Sequence, residues 1–286
     1  MEKITWKSIQ NNSDQYLADG LWKLAKSPYR SFSEILDNSF GNYLISHEKN
    51  PYYIGESNDI NKRLRQQFNP TTSTFYKNYL KYLNENNKAT SFDIEHFKVQ
   101  HIQTLIGRKE IEEFGIVNLP TVLNSFQLGK RAIQTIKSFK GIWEELQNSK
   151  SELLVEGEKQ VLKQSFYGWH DINIPKIAGI YIIAEKGGNI IYIGESSDLN
   201  ERHSTHSRRT YFSALRRHIA TEKLSFELTQ RNGKKKYLET DEENAVNDFL
   251  RTCSVNFCPV SLGRYELEEY LIRKHKPQLN RKGNSD

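Results

Sequence analysis

The segment Tyr53-Ile54-Gly55-Glu56-Ser57-Asn58-Asp59-Ile60-Asn61-Lys62-Arg63 returns as Tyr192-Ile193-Gly194-Glu195-Ser196-Ser197-Asp198-Leu199-Asn200-Glu201-Arg202, identical at eight of eleven positions. Such a repeat constrains the fold before any single motif does, because a self-similar chain is built from repeated structural units. The copies are offset by 139 residues, too far for a solenoid and suited to two small tandem domains. Further on, Gly107-Arg108-Lys109-Glu110-Ile111-Glu112-Glu113-Phe114 matches Gly263-Arg264-Tyr265-Glu266-Leu267-Glu268-Glu269-Tyr270. Leu123-Asn124 then follows Glu112 at the spacing at which Leu279-Asn280 follows Glu268. The offset has become 156 by then, so the later unit has gained 17 residues in its middle. That insertion is expected to include Arg231-Asn232-Gly233-Lys234-Lys235-Lys236, read as a basic loop. Duplication followed by divergence is the expectation.

The 286 residues suffice for one large or two ordinary domains. A net charge of +6, from 41 basic and 35 acidic residues, permits a polyanionic partner without requiring one. Aromatic residues at 12% argue for packed cores rather than disorder. No apolar run approaches the roughly 18 residues of a membrane span, and Met1-Glu2-Lys3 leads into no signal-peptide core. A cytoplasmic protein without membrane contact is expected. Cys253 and Cys258 would need two more nearby ligands to hold zinc, and the closest histidines are His218 and His275. Buried thiols in a reducing compartment are the expected reading.

Residues 1–40 have an amphipathic helical pattern through Leu17, Leu21, Trp22 and Leu24. A first domain is expected over 41–128, with strands at Asn42–Ile45 and Tyr52–Ile54. Residues 129–175 are expected to be a helical linker docked on the domains, with apolar positions at Ile142, Trp143, Leu146, Leu153, Leu154, Val161 and Leu162. The second domain, 176–286, opens with a hairpin: Ile180–Ile183, a turn at Lys186-Gly187-Gly188-Asn189, then Ile190–Ile193. Ser197 or Asp198 would cap the helix bearing Arg202.

Arg202 and His206 lie four apart and share a helix face. Glu268 falls on the stripe of Leu271 and Ile272, where a carboxylate is costly unless paired or metal-bound. Arg202 and a divalent cation are its two candidate partners. Glu112 precedes Ile116 in the same way. Taken singly, each tyrosine reads as packing, the arginine as a solvated residue, and Glu268 as a cap or a bridge to Arg273. Their recurrence in order, in both units, favours a site. Gly129-Lys130 lacks the other residues of a phosphate loop.

Gly179-Ile180-Tyr181 with Tyr192-Ile193-Gly194, then Arg202, His206, Glu268 and Pro277–Asn280, resembles the GIY-YIG nuclease superfamily over about 177–282. The resemblance implies a mixed α/β (α+β) fold, present here as two tandem domains. Each would be a small, mainly antiparallel three-stranded sheet flanked by helices. It implies an endodeoxyribonuclease hydrolysing phosphodiester bonds with Mg²⁺, for which Mn²⁺ could substitute. Glu268 would hold the metal, Tyr181 would help deprotonate water with Tyr192 and His206, Arg202 would neutralise phosphate charge, and Asn280 would orient the site. The first copy keeps Tyr43, Tyr53, Arg63, Glu112 (its metal ligand) and Asn124, but reads Gly41-Asn42-Tyr43 and has Gln67 at the histidine position. An amide accepts no proton at neutral pH.

The substrate is expected to be double-stranded DNA, contacted through Arg208, Arg209, Arg216, Arg217, Arg231, Lys234, Lys235 and Lys236. A restriction-type enzyme, monomeric and with two active sites, is the leading expectation, with a homodimer left open. A structure-selective repair nuclease using only the C-terminal site is one alternative. A DNA-binding protein with decayed sites is the other.

Overall fold

The computed structural model describes residues 3–35, 40–86, 94–124, 141–231 and 233–281, so Gly129-Lys130 and part of the expected linker lie outside the described residues. The chain divides into two compact units, Met1–Ser151 and Glu152–Asp286.

In the first unit, Thr5 opens α1 (Trp6–Asn11) with a capping box: its hydroxyl accepts from the Ser8 N–H, and Ser8 Oγ accepts from the Thr5 N–H. The following helix, α2 (Ser13–Lys26), buries Leu17, Leu21 and Leu24, the stripe its periodicity predicts. The sheet runs in the order β2 (Asn50–Ser57), β1 (Gly41–His47), β3 (Phe97–Gln103), antiparallel throughout. Helices α3 (Ile60–Gln67), α4 (Thr74–Glu85) and α5 (Arg108–Asn118) accompany it. Tyr43, Ile45, Leu64, Phe75, Tyr79, Phe97 and Val99 form an aromatic-rich core.

Within the segment expected to be a docked helical linker, the boundary between the two units falls after Ser151. The first described helix of that segment, α6 (Ile142–Asn148), packs on α2. Asp19 accepts from the Trp143 N–H at 3.0 Å, and Gln147 accepts from the Leu105 and Ile106 N–H groups while donating to the Ile106 carbonyl. The next helix, α7 (Lys150–Leu162), buries Leu153, Leu154 and Val161, but Leu162 is exposed.

The sheet of the second unit has the order β4 (Tyr167–Gly168), β9 (Ser254–Pro259), β5 (Gly179–Ala184), β6 (Ile190–Ser196), again antiparallel. It has one short edge strand more than the three expected. In the first unit the corresponding place holds a single bridge, Arg30 to Val99, where the second unit pairs Tyr167 with Val255. Both sheets set the first tyrosine opposite the later glycine, Tyr43 to Gly55 and Tyr181 to Gly194. Both also carry an irregularity near the turn, between Ile45 and Ser46 and between Ile183 and Ala184.

Between α8 (Leu199–His206) and β9 the chain forms α9 (Ala214–His218), a π-helical turn Ile219–Lys223, strands β7 (Thr229–Arg231) and β8 (Lys234–Tyr237), and α10 (Thr240–Thr252). The basic segment read as a loop is therefore a hairpin, for which Asn232-Gly233 is an adequate turn signal. The unit closes with α11 (Arg264–His275). No described helix is long and apolar enough to cross a membrane.

Candidate active site

Both sites are built by the same local chemistry. After the Tyr-Ile-Gly strand, Ser196 accepts from the Asp198 N–H and donates to its carbonyl, while the Asp198 carboxylate accepts from the Glu201 N–H and caps α8. Ser57 and Asp59 do the same for α3, through the Lys62 N–H. Asp198, not Ser197, is thus the cap. The turn fixes where α8 starts, and hence where Arg202 and His206 face.

A second device aims the carboxylate-bearing helix. Gly263 and Gly107 adopt left-handed φ of 83° and 93° just before α11 and α5, a conformation glycine takes without strain. The arginine that follows is buried in each case. Arg264 Nε donates to Glu195 Oε2 at 2.8 Å, the arginine side chain being 1% exposed. Arg108 lies 4.0 Å from Glu56 and also bonds Asn58. These pairs were not singled out from sequence, although the duplicated Glu-Ser and Gly-Arg dipeptides that supply them are plain in it.

Tyr181 is buried, and its hydroxyl lies 2.8 Å from His206 Nε2. Its ring packs at 6.0 Å from Tyr192, and the two hydroxyls hydrogen-bond. The pairing depends on Gly194, where a Cβ would sit 2.3 Å from the Tyr181 oxygen. Burial, then Tyr192 and Glu268, hold the Tyr181 hydroxyl well above its usual pKa against the pull of Arg202. Burial, followed by the charges of Arg202, His203 and Arg216, pushes His206 down to about 3, so its ring is neutral. Ser213 Oγ contacts the opposite nitrogen at 2.7 Å. A neutral imidazole has one N–H and one lone pair, so it can pass a proton between hydroxyls on its two sides.

Glu268 is partly buried on α11 and accepts from the Glu195 N–H at 3.1 Å. It lies close enough to Tyr181 and Tyr192 to raise both hydroxyls, while Arg202 lowers both. Asn280 has a different task from direct chemistry: it accepts from the Ile193 N–H and donates to the Ile193 carbonyl, pinning the C-terminal segment to β6. Asn124 clamps Ile54 identically at 2.9 and 2.8 Å.

In the first unit a cleft of about 250 Å³ is lined by Tyr53, Arg63, Gln67, Glu112 and Asn124 together with neighbouring apolar groups. Gln67 donates to the Tyr43 oxygen at 3.3 Å, where the other unit has His206. Arg63, though exposed, reaches both tyrosine hydroxyls. Burial, then Glu56 and Glu113, push Glu112 up to about 8 despite Arg63 and Lys109.

Residues 170–286 match the family model of the GIY-YIG catalytic domain. The match falls within the second unit and spans less than half of the chain. No curated protein and no solved structure matches the chain. The matched model describes the catalytic domain of a nuclease superfamily.

Superfamily members generally use divalent metals. Among the described residues no group of three or more His, Cys, Asp or Glu is placed to share an ion. A single hard carboxylate nevertheless suits Mg²⁺, which keeps several waters and takes one or two protein carboxylates. Glu268 fits that role, beside the buried tyrosines. Cys253 and Cys258 are buried free thiols pushed up to about 11 by burial, consistent with structural residues rather than zinc ligands.

The expected DNA-contacting set divides. Arg208, Arg209, Arg231 and Lys234 are exposed, and Lys236 is partly buried; the side chain of Lys235 lies outside the described residues. Arg216 must be withdrawn from the set. Its side chain is 0% exposed and bonds Glu243 at 2.7 Å, Asn247 and the His206 carbonyl. A guanidinium so enclosed organises the loop beneath the histidine and cannot reach phosphate. Arg217 also turns inward in part, donating to the Thr210 and Tyr211 carbonyls.

Proposed function

We propose that this chain is a Mg²⁺-dependent DNA endonuclease of restriction type that acts as a monomer, each unit hydrolysing one strand. The reading extends the family match to residues 1–151 through a duplication of the site. The observation that carries it is the parallel construction of the two sites: Ser-Asp cap, buried Arg beside Glu, glycine under tyrosine, and Asn clamped to the strand backbone. Buried thiols suit a reducing, cytoplasmic setting.

In the second unit Glu268 would hold the metal, which supplies stabilisation of charge on the phosphate and leaving oxygen. Arg202 adds a permanent positive charge on the same face. With Nδ1–H donated to Ser213, His206 Nε2 accepts from Tyr181, leaving the Tyr181 oxygen to accept from Tyr192. The Tyr192 oxygen, at the partly exposed end of this chain, offers its lone pairs to the attacking water. Because Tyr181 is buried, its part is to polarise Tyr192 rather than to meet water itself. This refines the role expected for Tyr181.

Incubation of a long natural DNA with Mg²⁺, followed by sequencing of the ends, tests the proposal. Defined ends on both strands at a recurring sequence are expected. Ends confined to branched or damaged sites would instead favour the structure-selective reading. Absence of cleavage with any divalent metal would overturn both.

A further inference from the structure

Phe212 is 62% exposed, more than any other large hydrophobic residue described, and its direct neighbour Ser213 contacts His206 Nδ1 at 2.7 Å. Its exposure is enforced by a rigid frame. Thr210 donates both its N–H and its hydroxyl to the Glu243 carboxylate. Arg216, itself buried, grips that same carboxylate at 2.7 Å. Arg217 holds the Thr210 and Tyr211 carbonyls at 3.1 and 3.0 Å. A segment so tied presents its tip in one place and pays little entropy when that tip is used.

The surroundings of the tip say what it meets. Tyr211 sits edge-on to Phe212 at 4.9 Å and stacks on Tyr237 of β8 at 5.0 Å. Lys234 and Lys236 lie 5.8 Å from the Tyr211 ring centre, and Arg231 lies 5.5 Å from that of Tyr237. Arg208 and Arg209, on the same segment, are exposed. An exposed apolar ring edge-on to an aromatic pair that carries cations is matched to a partner that is anionic outside and offers flat π-faces within. That combination describes a nucleic acid whose stack has been opened.

Resting on the nuclease reading above, we propose that Phe212 is a wedge that enters a base step of bound DNA, stacking on a base displaced from its neighbour. The β7–β8 cations hold the flanking phosphates. Opening a paired step costs energy that an already unpaired nucleotide does not require, so the wedge makes affinity depend on pairing. Ser213, the residue next to the inserted ring, contacts His206, which couples the wedge to the site through the backbone.

The test compares binding of two oligonucleotide duplexes of one sequence, one fully paired and one with a single central unpaired nucleotide, in Ca²⁺. The wild-type chain is expected to favour the second about tenfold, within the range that base–aromatic stacking supports. Phe212→Ala should abolish the preference and Phe212→Trp should keep it. Lys234→Ala should weaken both duplexes alike. Equal wild-type affinities, or a preference that survives in Phe212→Ala, would overturn the wedge while leaving the nuclease reading to the Mg²⁺ cleavage assay. Failure to bind either duplex would likewise overturn the wedge, and the exposed position of Phe212 means its variants should fold normally.

Discussion

At Gly194 a methyl group would stand 2.3 Å from the oxygen and a ring carbon of Tyr181, and at Gly55 it would stand 2.5 Å from the Tyr43 oxygen. Neither strand can yield without moving the tyrosine. Gly194→Ala should cost about 1–3 kcal/mol in denaturant unfolding, the usual range for overpacking. It should also lower cleavage by the second unit about 100-fold, as a misplacement near 1 Å can. His206 gives a prediction in pH. In the folded chain it is held down to about 3 from 6.5. As pH falls below 6.5 the unfolded chain takes a proton that the folded chain refuses, so stability is lost across that window. His206→Gln, which copies Gln67 of the first unit, should remove this loss, seen as a flatter denaturation midpoint between pH 6.5 and 4.

At the scale of the elements, α8 and α11 are aimed by contacts at their first turns. Asp198→Ala removes the cap of α8 and should cost about 0.5–2 kcal/mol. Glu195→Gln removes the carboxylate that the 1%-exposed Arg264 meets at 2.8 Å and should cost about 3 kcal/mol. Glu56→Gln should cost less, because Arg108 stands farther from Glu56, at 4.0 Å. Thermal melts of the three variants check the order.

These elements also show what sequence can carry. Strand–turn–helix order, the site tyrosines and the carboxylate helix were legible because period, turn residues and repetition are local. Arg216 was misplaced because an arginine in a run of basic residues looks solvated. Only the tertiary approach of Glu243 and Asn247 encloses it. The Asn280 clamp, the buried Arg264–Glu195 pair and the fate of the linker region depend in the same way on partners far along the chain. The β7–β8 hairpin was readable from Asn232-Gly233, but the lysines around it masked the strand pattern.

At the scale of the whole molecule, the helix carboxylate of the first unit gives that unit a pH dependence of its own. Glu112 is held up to about 8 from 4.5. Above pH 4.5 the unfolded chain sheds a proton that the folded chain keeps, so the first unit loses stability as pH rises toward 8. Glu112→Gln should remove that loss and show a gain over wild type at pH 7 that is absent at pH 4. A metal-binding carboxylate must be ionised, so cutting by the first site should be slow at neutral pH and rise in alkali. Supercoiled plasmid with Mg²⁺ should thus accumulate nicked circles at pH 7 and become linear more readily at pH 9. The most direct test is this plasmid assay with Glu268→Gln, Glu112→Gln and the double variant. The account predicts that Glu268→Gln removes the cutting at pH 7, that Glu112→Gln leaves nicking but stops linearisation, and that the double variant is inert. Undiminished linearisation by the double variant would contradict it.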